Sequence, residues 1–241
     1  MRTQKRTRLL SALMALLMVF SLLPASALAA EVEQTLADHV VINQAYGGGG
    51  NNGAVYTHDF IELYNPTDED VDLDGWTVQY ASAKGDFKAN SGSTRMVTEL
   101  TGTIKAHGFY LIQEAAGNTP FKDLPTPDKV DTINMGGKEF KIALVKDSDV
   151  IKDNNDDSVV DFLGVGTANM YETEAAAAIT NSTAAIRVAD GVDTDNNKAD
   201  FKADTPNPRN SSVSGEDPDP PSEPTDEPTT EPSPTIVPVT V

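Results

Sequence analysis

Residues 40–66 read VVINQAYGGGGNNGAVYTHDFIELYNP, and this stretch indicates the fold class of the chain. Two runs rich in β-branched and aromatic residues, Val40–Tyr46 and Phe60–Tyr64, flank a glycine-rich connection. In the second run the apolar residues alternate with Glu62, which predicts a strand that is buried on one face only. We therefore expect a strand, a flexible glycine loop and a second strand.

Short runs of the same kind continue along the chain. Trp76, Val78 and Tyr80 alternate with smaller or polar residues, which predicts a third strand whose large side chains, the only tryptophan included, face a core. Further strands are predicted at Met96–Leu100, Phe109–Gln113, Phe140–Lys146, Val159–Gly164 and Ala185–Ala189. At 172–178 an alanine run has helix propensity but no amphipathic stripe, so we expect one or two helical turns in a loop at most. Eight short strands without strand–helix alternation predict an antiparallel β-sandwich.

The first 29 residues are predicted to be a signal peptide. A basic segment precedes the apolar run Leu9–Leu23, and Ala27-Leu28-Ala29 is a small-x-small sequence that predicts cleavage after Ala29. The apolar run is shorter than the roughly 20 residues that cross a bilayer, so we expect no transmembrane segment in the mature chain. The protein is expected to be bacterial and to be secreted or associated with the cell envelope.

The mature chain is expected to be strongly acidic. The sequence has 18 Lys and Arg against 37 Asp and Glu, and the predicted signal peptide removes four of the basic residues and none of the acidic ones. The remaining net charge of −23 repels phosphate backbones, so a role in binding duplex nucleic acid is disfavoured.

The composition divides the mature chain into three parts. Residues 30–37 form a short polar segment, and residues 38–212 are long enough for one domain that buries its core without disulfides, since the chain has no cysteine. Residues 213–241 are rich in proline, threonine and acidic residues, which predicts a disordered linker or tail. Its last six residues turn apolar, which leaves two interpretations open: a simple end of the chain, or the opening of a further domain fused C-terminally, which we favour.

Several motifs together resemble one known family. They are VVINQAYGGGGNNGA, DFIELYNPTDEDVDLDGWTVQYASA, FYLIQEAAG, LPTPD, INM, VVDFLGVGTAN, DTDNNKADF and NPRN, in this order along the chain. They are similar to the bacterial branch of the lamin-tail domain family over residues 38–212. This resemblance implies an immunoglobulin-like β-sandwich that is non-catalytic. It also implies that such domains accompany extracellular nucleases or phosphoesterases and assist contact with the cell envelope or with substrate.

One acidic loop has the spacing of a metal site. From residue 193 to 197 the sequence DTDNN places oxygen-bearing side chains two residues apart, as calcium loops do. An EF-hand is excluded, because the sixth position is Lys198 where glycine is required and the twelfth is Asp204 where glutamate is required. Two interpretations remain open. One is a turn whose Asp and Asn side chains bond their own backbone. The other is a calcium site with the ligands Asp193, Asp195, Asn197 and Asp200.

Other motifs for chemistry are weak. Gly48-x-Gly50-x-x-Gly53 matches the dinucleotide fingerprint, but that motif must open a helix and residues 54–57 are predicted to be extended. The histidines lie in no hydrolase or zinc-protease motif. They are His39, His58 and His107. We therefore predict no catalytic residue and no cofactor other than the calcium considered above.

Three functions remain open at this point. The first is a secreted binding or targeting module that attaches to a cell-envelope component or an extracellular polymer. The second is an N-terminal accessory domain of an extracellular nuclease or phosphoesterase whose catalytic domain lies beyond residue 241. The third is a structural spacer at the cell surface.

Overall fold

The computed structural model describes residues 36–213, so the predicted signal peptide and residues 214–241 of the predicted linker lie outside the described part. Within it, the strands and the one helix follow in this order. They are β1 (Val41–Tyr46), β2 (His58–Tyr64), β3 (Val71–Asp72), β4 (Thr77–Ser82), β5 (Val97–Glu99), β6 (Thr103–Ile104), β7 (Phe109–Ala116), β8 (Lys129–Val130), β9 (Phe140–Val145), β10 (Val159–Val165), β11 (Ala184–Arg187), α1 (Asn197–Asp200) and β12 (Phe201–Asp204).

The strands form two main sheets. One has the order β12-β11-β1-β2-β7-β8 and the other the order β10-β9-β4-β5, while β3 and β6 form a separate ribbon. Neighbouring strands are antiparallel except β7 and β8, which are parallel. Every one of the eight predicted strands overlaps a strand of the structure. The predicted immunoglobulin-like antiparallel sandwich is confirmed.

The main core lies between the two sheets, where alternation places the apolar side chains. Ile61 and Leu63 of β2 meet Val78 and Tyr80 of β4 in one buried cluster. Trp76 precedes β4 and packs against the same cluster while it stays partly exposed. Burial of an aliphatic side chain of this size contributes about 1.5–3 kcal/mol, so these residues are a main source of stability.

The outer face of β2 is also buried, which contradicts the one-sided strand that the alternation predicts. Glu62 has no exposed surface, because the segment that contains Arg209 covers this face of the six-stranded sheet. Arg209 bonds Glu62 at 2.9 Å and Asp190 at 2.6 Å, and its guanidinium lies 3.8 Å from the centre of the Phe109 ring. Asn43 adds a further bond to Glu62 at 2.8 Å. A buried carboxyl is tolerated here because it has these partners.

Residues 172–178, for which the sequence allows one or two helical turns at most, form none. This segment runs beside the edge of β10, where Ala176 donates to the oxygen of Gly164 at 2.8 Å and accepts from Gly166 at 2.9 Å. The alanines have helix propensity but no amphipathic face to bury, so pairing with a strand edge prevails. The four-residue α1 begins after the N-cap Asn196. In residues 36–213 we find no helix that could cross a bilayer.

The glycine loop is packed tightly, which contradicts its predicted flexibility. All four residues Gly47–Gly50 are buried, and a side chain at any of them would overlap backbone atoms of another segment. Asp59 fixes the loop from within, because its carboxyl accepts from the amide of Gly49 at 2.8 Å and from that of Met135 at 2.9 Å. Burial raises the pKa of Asp59 to about 7.

Candidate functional site

A buried arginine organises the charged residues between the two sheets. Arg187 of β11 has no exposed side-chain surface, and its Nη2 donates to Asp161 of β10 at 2.9 Å. Its Nε donates to the oxygen of Ile42 at 3.1 Å and its Nη1 to that of Val192 at 2.8 Å. The guanidinium also lies 4.6 Å from the centre of the Phe201 ring. A guanidinium is planar and always charged, so it can bond several buried acceptors and stack on an aromatic ring at the same time.

Two residues of the predicted calcium loop approach the same arginine. Asp193 lies 3.3 Å from Nη1 of Arg187, and Asp200 lies 3.7 Å from it. Together with Asp161 and Glu172 these residues form a group that we call the Arg187 cluster. Carboxylate oxygens of Asp161, Glu172 and Asp193 lie within 4.8 Å of one another.

His39 adds a second positive charge to the cluster. Its Nε2 lies 3.5 Å from Asp193, and this contact raises the pKa of His39 to about 9 although burial acts in the opposite direction. Partial burial likewise opposes ionisation of Asp193, but the contacts with His39 and Arg187 hold the pKa of this carboxyl well below its usual range. The pair is therefore ionised at neutral pH.

Glu172 is the acid of the cluster that keeps its proton. Burial, followed by repulsion from Asp161 and Asp193, raises the pKa of Glu172 to about 9. One of its oxygens accepts from the side-chain amide of Asn197 at 2.7 Å. A protonated Glu172 reduces the negative charge that the buried group must accommodate.

Three of the four predicted ligands bond groups within the loop or on the segments beside it. The side-chain oxygen of Asn197 accepts from the amides of Gly164 at 2.8 Å and Glu172 at 3.2 Å. Asp195 is exposed with a left-handed φ of 53°, and its amide donates to Asp193 at 3.2 Å. The carboxyl of Asp200 accepts from the amide of Thr194 at 3.0 Å and from its hydroxyl at 2.7 Å. These contacts are those of a self-bonded turn, and calcium binding stays a prediction.

Sequence reasoning missed three members of the cluster. Arg187, Asp161 and Glu172 lie on separate segments, and Arg187 is 26 positions from Asp161. No local spacing links them, so only the pairing of the strands brings them together. A lone arginine within a short apolar strand is the one signal in the sequence that could have pointed to a buried charge.

The described histidines do not activate a nucleophile. His39 contacts Asp38 and Asp193, and Nε2 of His107 lies 3.0 Å from the carboxyl of Asp68. Among residues 36–213 no serine or threonine hydroxyl bonds a histidine ring. The arrangement of a base beside a hydroxyl, which acyl transfer needs, is not formed by these residues.

An accessible hollow, the Trp76 pocket, lies at one end of the four-stranded sheet. It has a volume of about 400 Å³ and is lined by Asp74, Gly75, Trp76, Glu99, Leu100, Thr101 and Ser148. The amide of Leu100 donates to the carbonyl oxygen of Trp76 at 2.8 Å, and the hydroxyl of Thr77 donates to the carbonyl oxygen of Asp147 at 2.8 Å. These bonds to backbone oxygens fix the walls of the pocket. The dinucleotide interpretation of the glycine loop receives no support, because residues 54–57 form no helix.

Comparison with curated proteins returned no match. A family model described as Lamin Tail Domain matches residues 33–196. The match covers more than half of the chain and includes the stretch 40–66 together with most of the strands. It ends before α1 and β12, which the structure packs into the same sandwich through Arg187 and Phe201. This chain therefore belongs to the lamin tail domain family, whose members are immunoglobulin-like modules that bind or support other structures.

Proposed function

We propose that this protein is a secreted, non-catalytic binding module that attaches to a cell-envelope component or an extracellular polymer. The Trp76 pocket is the observation that carries this proposal. It combines an accessible aromatic ring with the exposed carboxylates of Asp74 and Glu99 on braced walls. Pockets that join an apolar surface to a few polar groups are the usual binding sites of proteins.

The buried polar groups support a structural role for the rest of the charged residues. Arg187 and Arg209 each hold two or more carboxylates, and Glu114 and Asp59 bond backbone amides of neighbouring segments. Groups engaged in this way stabilise the fold and are not available to a substrate. The polar groups that remain available to bind a partner are therefore those at the surface.

The charge of the mature chain narrows the class of partner. A net charge of −23 disfavours duplex nucleic acid and other phosphate-rich polymers. Neutral or cationic polymers meet no such repulsion. A partner of this kind fits the carboxylates at the Trp76 pocket better than an anionic one does.

A second candidate function rests on the composition of residues 213–241. Proline-rich acidic segments act as extended spacers between domains, so this segment favours an accessory domain, and the resemblance to the lamin-tail family implies an extracellular nuclease or phosphoesterase as the enzyme that it serves. The mass of the mature product in the culture medium tests this candidate. A mass above that of residues 30–241, with phosphodiester cleavage by the longer product alone, would favour it.

A binding assay tests the first proposal. Mature protein, residues 30–241, is incubated with purified envelope fractions and with insoluble polysaccharides, and the bound fraction is measured against protein concentration. We expect saturable binding to at least one material, and a protein unfolded in urea serves as the control. Linear, non-saturating retention on every material would contradict the proposal and favour the spacer.

A further inference from the structure

Trp76 is partly exposed and lines a pocket whose other side chains are polar except that of Leu100. It is the only tryptophan of the chain, and it packs partly against the main core. An aromatic face carries negative charge density, so it attracts cations and polarised C–H groups. This surface suits a flat ligand with an apolar face.

Two carboxylates give the pocket a negative potential. Asp74 and Glu99 are both exposed, and no lysine or arginine lines the pocket. Glu99 makes no ion pair within residues 36–213, while Asp74 accepts from the amide of Gly102 at 2.7 Å and keeps its second oxygen for other contacts. The pocket is therefore complementary to a positive charge.

The walls supply hydroxyl groups and are preorganised. Thr101 and Ser148 line the pocket with exposed side chains, and the hydroxyl of Tyr110 fixes Thr101 by a bond to its carbonyl oxygen at 2.8 Å. Gln79 holds the segment beside Ser148 through the oxygen of Asp149 at 2.7 Å. Little ordering is needed when a ligand binds to such walls.

A larger hollow of about 610 Å³ lies beside Ala175–Ala178 and is also lined by an exposed aromatic side chain, Tyr171, but its carboxylate is paired. Its carboxylate Glu174 is already bound by Lys198 at 2.7 Å, and the hydroxyl of Thr167 donates to Glu139 at 2.7 Å. Its charges are neutralised by the protein itself. The Trp76 pocket, in contrast, joins an aromatic side chain to Glu99, which makes no ion pair among residues 36–213 and interacts with Arg95 only at longer range.

We propose that the Trp76 pocket binds a protonated amino sugar of a polymer. The apolar face of the pyranose ring packs on the indole, the ammonium group contacts the carboxylates of Asp74 and Glu99, and the ring hydroxyls bond Thr101 and Ser148. A free amine is essential, because acetylation removes the charge that these carboxylates attract. This inference names the ligand class for the binding function proposed above and rests on it.

Titration of the mature chain with a glucosamine hexamer at pH 6, followed by calorimetry and by tryptophan fluorescence, tests the proposal. We expect saturable binding and a change in emission, since Trp76 is the only tryptophan. The hexamer of N-acetylglucosamine should bind at least tenfold more weakly. Equal affinity for the two hexamers, or an emission that does not change, would overturn the proposal.

A matched pair of variants separates the pocket from general charge attraction. Glu99→Gln should weaken binding of the glucosamine hexamer at least fivefold. Asp123→Asn removes the same charge from another exposed carboxylate, but Asp123 follows the end of β7, whereas Thr101 lies near its start. This control should change affinity by less than a factor of two. Equal weakening in both variants would contradict the assigned site.

The outcome also distinguishes this inference from the broader function. If Glu99→Gln leaves saturable binding to an envelope or polysaccharide fraction unchanged, the binding function stands and the amino-sugar site is wrong. If the mature protein binds no such material and no hexamer, both the binding function and the amino-sugar site are wrong. Because Glu99 is exposed and makes no described ion pair, its substitution tests the pocket without disturbing the core.

Discussion

The two sheets are linked by side chains on both sides of the core, and the two links differ in charge. On one side Arg187 of β11 donates to Asp161 of β10 at 2.9 Å. On the other side Thr98 of β5 donates to Glu114 of β7 at 2.6 Å, and the second oxygen of Glu114 accepts from the amide of Ile133 at 2.7 Å. No cation of the described residues bonds Glu114.

The two carboxyls are buried to nearly the same degree, since Asp161 is 2% exposed and Glu114 is 1% exposed. Burial raises the pKa of Glu114 to about 8, so this group is protonated at neutral pH. Burial also raises the pKa of Asp161, and the positive charge of Arg187 opposes this shift without cancelling it. One link thus has a cation beside its carboxyl and the other only a bound proton, although their surroundings are similar.

Removal of the cation from the first link should have the largest effect. In Arg187→Met, Asp161 and Asp193 remain buried without their guanidinium, and we expect the free energy of unfolding to fall by about 3–5 kcal/mol. Urea denaturation followed by circular dichroism measures the change. The double variant Arg187→Met/Asp161→Leu should recover part of this loss, because it removes the buried charge too. A loss below about 1 kcal/mol in the single variant would contradict a charged link.

The second link predicts a dependence on pH. The pKa of Glu114 is about 8 in the folded protein against 4.5 for a glutamate exposed to water. The folded state therefore binds more protons than the unfolded state between these values, and stability from this group is lost as pH rises toward 8. Glu114→Gln keeps an acceptor for the amide of Ile133 and turns an N–H toward Thr98, whose hydroxyl can accept it, without an ionisable group. At pH 8.5 it should be more stable than the parent by on the order of 3 kcal/mol.

Urea denaturation at pH 5 and at pH 8.5 tests this expectation. The parent and Glu114→Gln should have similar stability at pH 5, where the carboxyl is protonated in the folded state. They should differ only at the higher pH. Because Asp59 and Glu172 also have raised pKa values, the difference between the two proteins, and not the slope of either, reports on Glu114. Parallel curves would show that Glu114 is not the titrating group.

The alternation of apolar and polar residues was enough to predict the main strands. It did not predict burial where the covering residues come from a distant part of the chain. Val78 and Tyr80 face the core because period-2 spacing is a local property. The same pattern could not show that Arg209, 147 positions away, covers Glu62. The short strands β3, β6 and β8 have only two residues each, and they form because a partner lies beside them.

The candidate sites show the same difference between local patterns, which the sequence could predict, and contacts between distant segments, which it could not. The self-bonded turn at Asp193 was one of the two interpretations that its spacing allowed, and Trp76 was correctly expected to contact the core. The Arg187 cluster was missed because its acids come from three separate segments. The Trp76 pocket was missed as well, since its walls are the ends of strands that are neighbours only in the folded sheet.

Calcium would separate the two links further, because only the link that contains Arg187 lies beside the predicted calcium loop. If Asp193 and its neighbours bind the ion, calcium at 100 times the dissociation constant should raise the free energy of unfolding by about 2.7 kcal/mol. Thermal unfolding in excess calcium and in excess chelator measures this effect, with Asp193→Asn as the control that should lose it. An unchanged melting temperature would end the calcium interpretation and leave Arg187 as the cation of this loop.

The smallest effect on stability is expected for a second arginine–aspartate pair, which lies near the surface. Arg95 contacts Asp131 with two bonds of 2.9 Å, close to the Glu114 link, but its side chain is 35% exposed. Solvent screens this pair, so Arg95→Met should lower the free energy of unfolding by only about 0–1 kcal/mol in the same urea assay. Arg187 and Arg95 then differ in burial and not in chemistry. A loss in Arg95→Met as large as that in Arg187→Met would mean that closure of the two sheets, and not burial of the charge, sets the strength of each link.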